Sequence, residues 1–295
     1  MATAVDAQLH RRRRFERLAD LPGYSYFVGS AVFHYLGPAF AVLLFALVPP
    51  VAVAWLRIAT AAAIYAVWRR PWRRLRNADR AATMTVVAMG LVLGLMNPIF
   101  YLAIDRLPLA TVAAIEFLPV IGLAAAGVRT GRNALALISA VAGVYLLTEV
   151  RLSGQPLGFL FAFANAALFS LYIVLAHRVS RERELGGIDG LAAAMLVALA
   201  VVTPIGGWSA FGALANPIAI GAGIGVGVTS SVVPYVCDQL AMKKMRRSSY
   251  ALAVSLLPAT AAVIGVVVLA QIPSWHDALG VGLVVLGMGV HREPR

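Results

Sequence analysis

The chain has 295 residues, 61% hydrophobic and 13% charged, about half the charged share of a soluble domain, and so reads as an integral membrane protein. Its formal net charge of +12 does not point to nucleic acid, because the arginines sit in short clusters between apolar runs and form no basic domain. The single cysteine, Cys237, excludes an intramolecular disulfide and a cysteine-based zinc site.

Apolar runs of about 17 to 25 residues are read as spanning helices, and the pattern predicts ten. The basic stretch RRRRFERLADLPG precedes the first of them and carries no cleavable signal, so the first run is expected to stay as an anchor. The first five runs cover approximately Tyr24 to Ala46, Val51 to Trp68, Ala82 to Ala103, Leu109 to Val128 and Ala134 to Thr148. The second five cover Leu157 to Ala176, Leu191 to Gly207, Pro217 to Ala241, Ser248 to Ala270 and Trp275 to Val290.

Basic residues collect on the cytoplasmic side of a membrane protein. With the N-terminus inside, 22 of the 25 lysines and arginines fall on inside segments. Only Arg106 and Arg151 fall outside, and Arg57 lies within the second helix. Both termini are therefore expected in the cytoplasm. An all-α fold follows, with a basic segment at residues 1–23 and five-helix repeats at 24–149 and 150–295. An odd number of helices per repeat gives the halves opposite orientations.

Two stretches carry the relation between the halves. Asn97 to Pro119 reads as apolar helix with a proline, a charged turn, then a helix with Glu116 three residues before Pro119. Val233 to Pro258 repeats that outline, with Pro234 answering Pro98 and Ser255 standing three residues before Pro258. These four prolines are read as helix breaks or gating points. Interrupted helices at matching places in inverted repeats point to a substrate site near the membrane midplane.

Glu116 lies seven residues beyond Leu109, ~10 Å below the outer surface at the rise of an α-helix. A carboxylate at that depth faces a cavity or a partner and is a functional candidate by default. Arg57, Asn97 and Tyr101 reach a comparable level. Two readings stay open at this point: an Arg57–Glu116 ion pair that fixes packing, or a zwitterion site with Arg57 for a carboxylate and Glu116 for an ammonium. Glu116 would also suit proton coupling. His34 and Asn165 fall near mid-depth, and Tyr172, Tyr235 and Ser255 lie toward the cytoplasmic side of the second half. Histidine in such a place suits packing or proton relay.

Other polar features read as structural. Trp55, Trp68 and Trp275 are expected as interfacial anchors, and Asp238 as a surface charge partner of Lys243 and Lys244. The glycines of Gly221 to Gly227, with Gly90 and Gly94, suit close helix packing. No GxxxxGK[ST] motif occurs, which argues against ATP coupling within the chain. No cofactor or metal is expected. A membrane enzyme would need a His/Asp/Ser group clustered at one interface, and the sequence offers none.

Several short motifs resemble the drug/metabolite transporter superfamily with EamA-type repeats, over nearly the whole chain. They are Leu56-Arg57, Asn97 to Tyr101, Leu107-Pro108, Ile115-Glu116-Phe117, Ser170-Leu171-Tyr172-Ile173, Val233-Pro234-Tyr235 and Ser255-Leu256-Leu257-Pro258-Ala259. The Glu-Phe and Ser-Leu-Tyr-Ile elements are most similar to the homoserine/threonine exporter branch. That branch usually has Glu directly before the ninth-helix proline and Gly-Glu after that helix, where this chain has Leu257 and Ala270-Gln271. The resemblance implies a secondary carrier exporting amino acids or similar small polar metabolites across a bacterial plasma membrane. A lipophilic drug or cation exporter is the alternative within the same fold. The partners expected are a small-molecule substrate and the bilayer, with a homodimer left open. With no counterpart of Glu116, the second half is expected to contribute mainly shape and gating.

Overall fold

The computed structural model describes residues 22–116, 118, 131–149, 155–181, 185, 187–245 and 257–290. The described chain is helical. In order it forms α1 (Gly23–Leu44), α2 (Pro50–Arg69), α3 (Arg80–Ile104), α4 (Leu109–Glu116), α5 (Gly131–Glu149) and α6 (Pro156–Arg181). The rest are α7 (Ile188–Leu214), α8 (Pro217–Lys244), α9 (Leu257–Leu269) and α10 (Trp275–Val290). Six of these, α1, α2, α3, α6, α7 and α8, are long and apolar enough to cross a membrane. Pro119 and Ser255 lie outside the described residues.

Local sequence explains where the helices begin and end. Pro50 opens α2, where the missing N–H costs no hydrogen bond, and Arg70 closes it in the left-handed conformation at φ 47°. Asp79 caps α3 by accepting from the Ala82 amide at 2.6 Å. Asn216 caps α8 by accepting from the Ile218 amide at 2.9 Å, with Pro217 at its first position.

Two helices carry a single wide turn in mid-course. In α7 the segment Thr203–Gly207 is π-helical, so the helix continues past the predicted end at Gly207 to Leu214. In α8 the π-helical segment is Val228–Val232, directly before Val233-Pro234. Proline removes the donor for the carbonyl four residues earlier, and a π-turn is a common way to absorb the mismatch. Pro98 behaves differently. The helix of α3 runs unbroken from Arg80 to Ile104 with Pro98 inside it, so the expected break there is absent. Pro258 sits at the second position of α9, where the ring is tolerated.

Helix α3 packs along α6 and α7, α1 along α8 and α9, and α2 along α7 and α8; α4 meets α6 and α9, and α5 packs on α10. The glycine expectation holds where helices meet. A Cβ on Gly94 would stand 2.6 Å from Val201 Cβ of α7, and one on Gly227 2.5 Å from Thr60 Cβ of α2. Gly221 and Gly225 face open space. Replacing Gly94 by Leu is expected to cost about 1–3 kcal/mol through overpacking, while Gly221→Ala should leave thermal melting of the purified protein undiminished.

One surface expectation is corrected. Asp238 does not lie at the surface: it is 8% exposed and accepts a hydrogen bond from Ser30 Oγ of α1 at 2.5 Å. Trp55 is half-buried, and its Nε1 donates to Thr203 Oγ1 at 3.1 Å at the α7 π-turn. Trp68 and Trp275 are exposed. Helix packing turned Asp238 inward, and rotation about a helix axis is not encoded by distance from a helix end.

One ion-pair cluster ties the end of α2 to the start of α7. Asp189 meets Arg69 Nε at 2.6 Å and Arg74 Nε at 3.1 Å. It also occupies the first turn of α7, where negative charge is favoured. The Arg74 side chain is 57% exposed, so Arg74→Ala is expected to cost under ~1 kcal/mol. Asp189→Ala should cost more, roughly 1–3 kcal/mol, because it leaves Arg69 without its acceptor. Comparing melting points of the two variants checks the ordering.

Candidate functional site

A small cavity lies where six helices meet. His34 and Pro38 come from α1, Arg57 from α2, and Met96, Asn97 and Phe100 from α3. Glu116 comes from α4, Asn165 and Phe169 from α6, and Tyr235 from α8. Helices α5 and α10 contribute none of these and pack on one another. The open centre has room for roughly one water molecule, so the site is contracted in this conformation.

Six of the predicted side chains therefore line one space: His34, Arg57, Asn97, Glu116, Asn165 and Tyr235. Tyr101 and Tyr172 stand behind the wall. Tyr101 is fully buried beneath Arg57, with its ring centroid 5.5 Å from the guanidinium carbon. Tyr172 packs against Phe169 and Tyr235 at ring separations of 6.0 and 5.7 Å. Trp68, one of the anchors, lies against the Tyr65 ring at 6.2 Å and takes no part in the cavity.

The position of Arg57 follows from Pro234. Because Pro234 has no N–H, the Ser230 carbonyl lacks its helical donor, and a buried carbonyl must find another. Arg57 Nη2 donates to it at 2.8 Å. Arg57 Nε donates to Ser231 Oγ at 2.7 Å, and weaker contacts reach the Tyr235 hydroxyl at 3.4 Å and the Tyr101 hydroxyl at 3.5 Å. The Tyr65 hydroxyl donates to the next carbonyls, Ser231 and Val232, each at 3.3 Å. Thus α2 supplies the hydrogen bonds that the π-turn of α8 gives up.

Glu116 is 3% exposed, and its Oε1 accepts from Asn165 Nδ2 at 2.9 Å. The Tyr35 hydroxyl approaches the same carboxylate. No ion pair joins Arg57 to Glu116 within 4.0 Å; Arg57 donates to α8 and Tyr101, and Glu116 accepts from Asn165. The packing-pair reading is thus replaced by two charges that share a cavity wall while each is held by neutral neighbours. Asn97 uses its amide locally, donating to the Leu93 carbonyl at 2.8 Å. His34 stands edge-on to Tyr35 at 5.2 Å and to Phe169 at 6.2 Å.

Sequence reasoning missed Ser230 and Ser231, both fully buried. The signal was present: Thr229-Ser230-Ser231 stands one turn before a proline in an apolar helix. It also understated the second half, which supplies Asn165 to Glu116 and the two short acceptor contacts of Arg57.

With this geometry in view, comparison with known proteins gives a consistent likeness. Residues 156–290 match the EamA-like transporter family. The chain is 29% identical over 271 residues to the threonine/homoserine exporter RhtA of Salmonella typhimurium, covering 88% of this chain and 89% of that protein. Identity to the threonine/homoserine exporter RhtA of Escherichia coli K12 is also 29%, over 256 residues and 84% of each chain. A crystal structure of a further protein matches in fold with a TM-score of 0.58 at 19% identity, covering 93% of this chain and 97% of the other. Six helices of the chain are long and apolar enough to cross a membrane, and the proteins that it matches are transporters, not enzymes.

Proposed function

We propose that this protein is an EamA-type transporter, a ten-helix secondary carrier of the bacterial inner membrane that exports amino acids of the threonine/homoserine kind, or related small polar metabolites. The observation that carries the proposal is the buried cavity holding Glu116, Asn165 and Arg57 at the junction of six helices. Ionisable groups at such a place mark substrate or ion pathways. Export of threonine and homoserine by the similar RhtA proteins agrees in substrate chemistry.

Two inverted five-helix repeats, residues 24–149 and 150–295 with both termini cytoplasmic, are part of the same reading. Their support is a packing pattern that is unchanged when the halves are exchanged. The α1–α8 contact corresponds to α6–α3, α1–α9 to α6–α4, and α2–α8 to α7–α3. The α2–α7, α4–α9 and α5–α10 pairs each map onto themselves. Alternating access then amounts to rocking of one repeat against the other about the cavity, and the contracted centre fits a closed state between the two openings. Glu116 is assigned the coupling role, since a proton and a substrate cation can exchange on one carboxylate.

Counterflow of labelled threonine or homoserine into proteoliposomes tests the reading. Protein-dependent uptake that saturates and is competed by unlabelled substrate is expected; no counterflow across an amino-acid panel would remove amino-acid export. The aromatic wall of Phe100, Phe169 and Tyr235 favours lipophilic cations as a second reading. Dye resistance on expression, without change in amino-acid excretion, would select it.

A further inference from the structure

The cavity is not built to read a zwitterion evenly. An arginine has five N–H donors and binds carboxylates best through a two-pronged fork. Four of those donors on Arg57 already point at the Ser231 hydroxyl, the Ser230 carbonyl and the hydroxyls of Tyr101 and Tyr235. What remains is a single N–H on Nη1, which cannot form the fork. A fork through the Nε–Nη2 edge would strip the Ser231 and Ser230 contacts that hold the π-turn of α8, and an end-on fork would have to displace the Tyr235 contact.

The opposite holds across the cavity. An ionised carboxylate only accepts hydrogen bonds, so the Asn165 contact at 2.9 Å fixes which end of that amide faces Glu116: the NH₂ end donates, and Oδ1 points away. Glu116 Oε2 and Asn165 Oδ1 are both buried without a hydrogen-bond partner among the described residues, as is the Tyr35 hydroxyl near the carboxylate. Glu116 and Asn165 both line the cavity, whose open centre has room for roughly one water molecule. A primary ammonium is of that size, has donors in every direction it needs and no acceptor. Neither an uncharged hydroxyl nor a carboxylate offers that match.

Resting on the cavity being the substrate site, we propose that the transporter recognises its substrate through a primary ammonium held by Glu116 Oε2 and Asn165 Oδ1, without a carboxylate ligand, Arg57 being a clamp on α8. The substrate class is then primary amines: amino acids, but also their esters, amides and amino alcohols. Hydroxy acids and N-acylated amino acids fall outside it.

The test is competition and thermal stabilisation on the purified full chain in nanodiscs. The ligands are threonine, threonine methyl ester, threoninol, N-acetylthreonine and 2,3-dihydroxybutanoate. Ester and amino alcohol should bind within ~3-fold of threonine, and the two compounds lacking an ammonium at least ~30-fold more weakly, the scale of a lost charge-assisted hydrogen bond. Glu116→Gln should weaken every amine ~10-fold or more and narrow the difference between the two groups. Arg57→Lys should leave the ratio of ester to threonine unchanged. Loss of ~30-fold or more on esterification, or N-acetylthreonine binding as well as threonine, would overturn the proposal. If threonine itself does not bind, propylamine against propionate makes the same comparison. Amine selectivity without amino-acid transport would then remove the export reading alone, and equal indifference to both compounds would remove the ammonium site.

Discussion

Replacing Arg57 by Leu is expected to lower stability by roughly 2–4 kcal/mol, because it leaves the buried Ser230 carbonyl and Ser231 hydroxyl short of donors. Those acceptors are fully buried and sit 2.8 and 2.7 Å from the guanidinium. Lys in place of Arg should recover less than half of the loss. Its ammonium is a point donor and cannot bridge groups spread along a helical turn as a planar fork can. The origin of the effect can be isolated. Pro234→Ala restores an N–H that can serve the Ser230 carbonyl, so Arg57→Leu should cost less in that background than in the native one. Thermal melts of the four proteins of this cycle measure the coupling. Additive losses would mean that Arg57 is not compensating for the proline.

Glu116→Gln is expected to reduce counterflow by ~10- to 150-fold, the worth of a hydrogen bond to a charged group, with folding intact. Gln keeps the shape and can still accept from Asn165 Nδ2, while the buried charge disappears. Its melting temperature should therefore match or exceed that of the native protein, since an uncompensated buried carboxylate is costly. On the proposed coupling role of Glu116, a pH gradient should no longer drive accumulation in this variant. Asn165→Ala should show a smaller transport loss and a lower melting temperature, as it removes the donor to Glu116 Oε1 and opens space. Native transport by Glu116→Gln would detach both binding and coupling from this carboxylate.

The sites of the polar residues were readable one by one. Six of the nine side chains singled out from the sequence line the same cavity, because a polar group in an apolar helix is costly unless it faces an interior space. Their partners were less readable. Arg57 and Glu116 lie at comparable calculated depth, which suggested a pair; in the fold Arg57 goes to α8 and Glu116 to α6. Pro98 and Pro234 looked equivalent, yet only Pro234 follows a π-turn. The difference is one of neighbours: Arg57 and Tyr65 of α2 donate hydrogen bonds to the carbonyls of the α8 turn.

The sequence alone determined that this is a membrane bundle, where its long helices run and how deep each polar side chain lies. Those properties follow from hydrophobicity and a fixed rise of about 1.5 Å per residue along a helix, both of them local. Tertiary structure decided the rotation of each helix about its axis, and with it every partnership: Arg57 with Ser230 and Ser231, Glu116 with Asn165, Asp238 with Ser30, Trp55 with Thr203. Rotation is set by how neighbouring surfaces interlock, glycine against valine as at Gly94 and Val201. It therefore depends on residues from 49 to 208 positions apart and appears only when the helices are packed together.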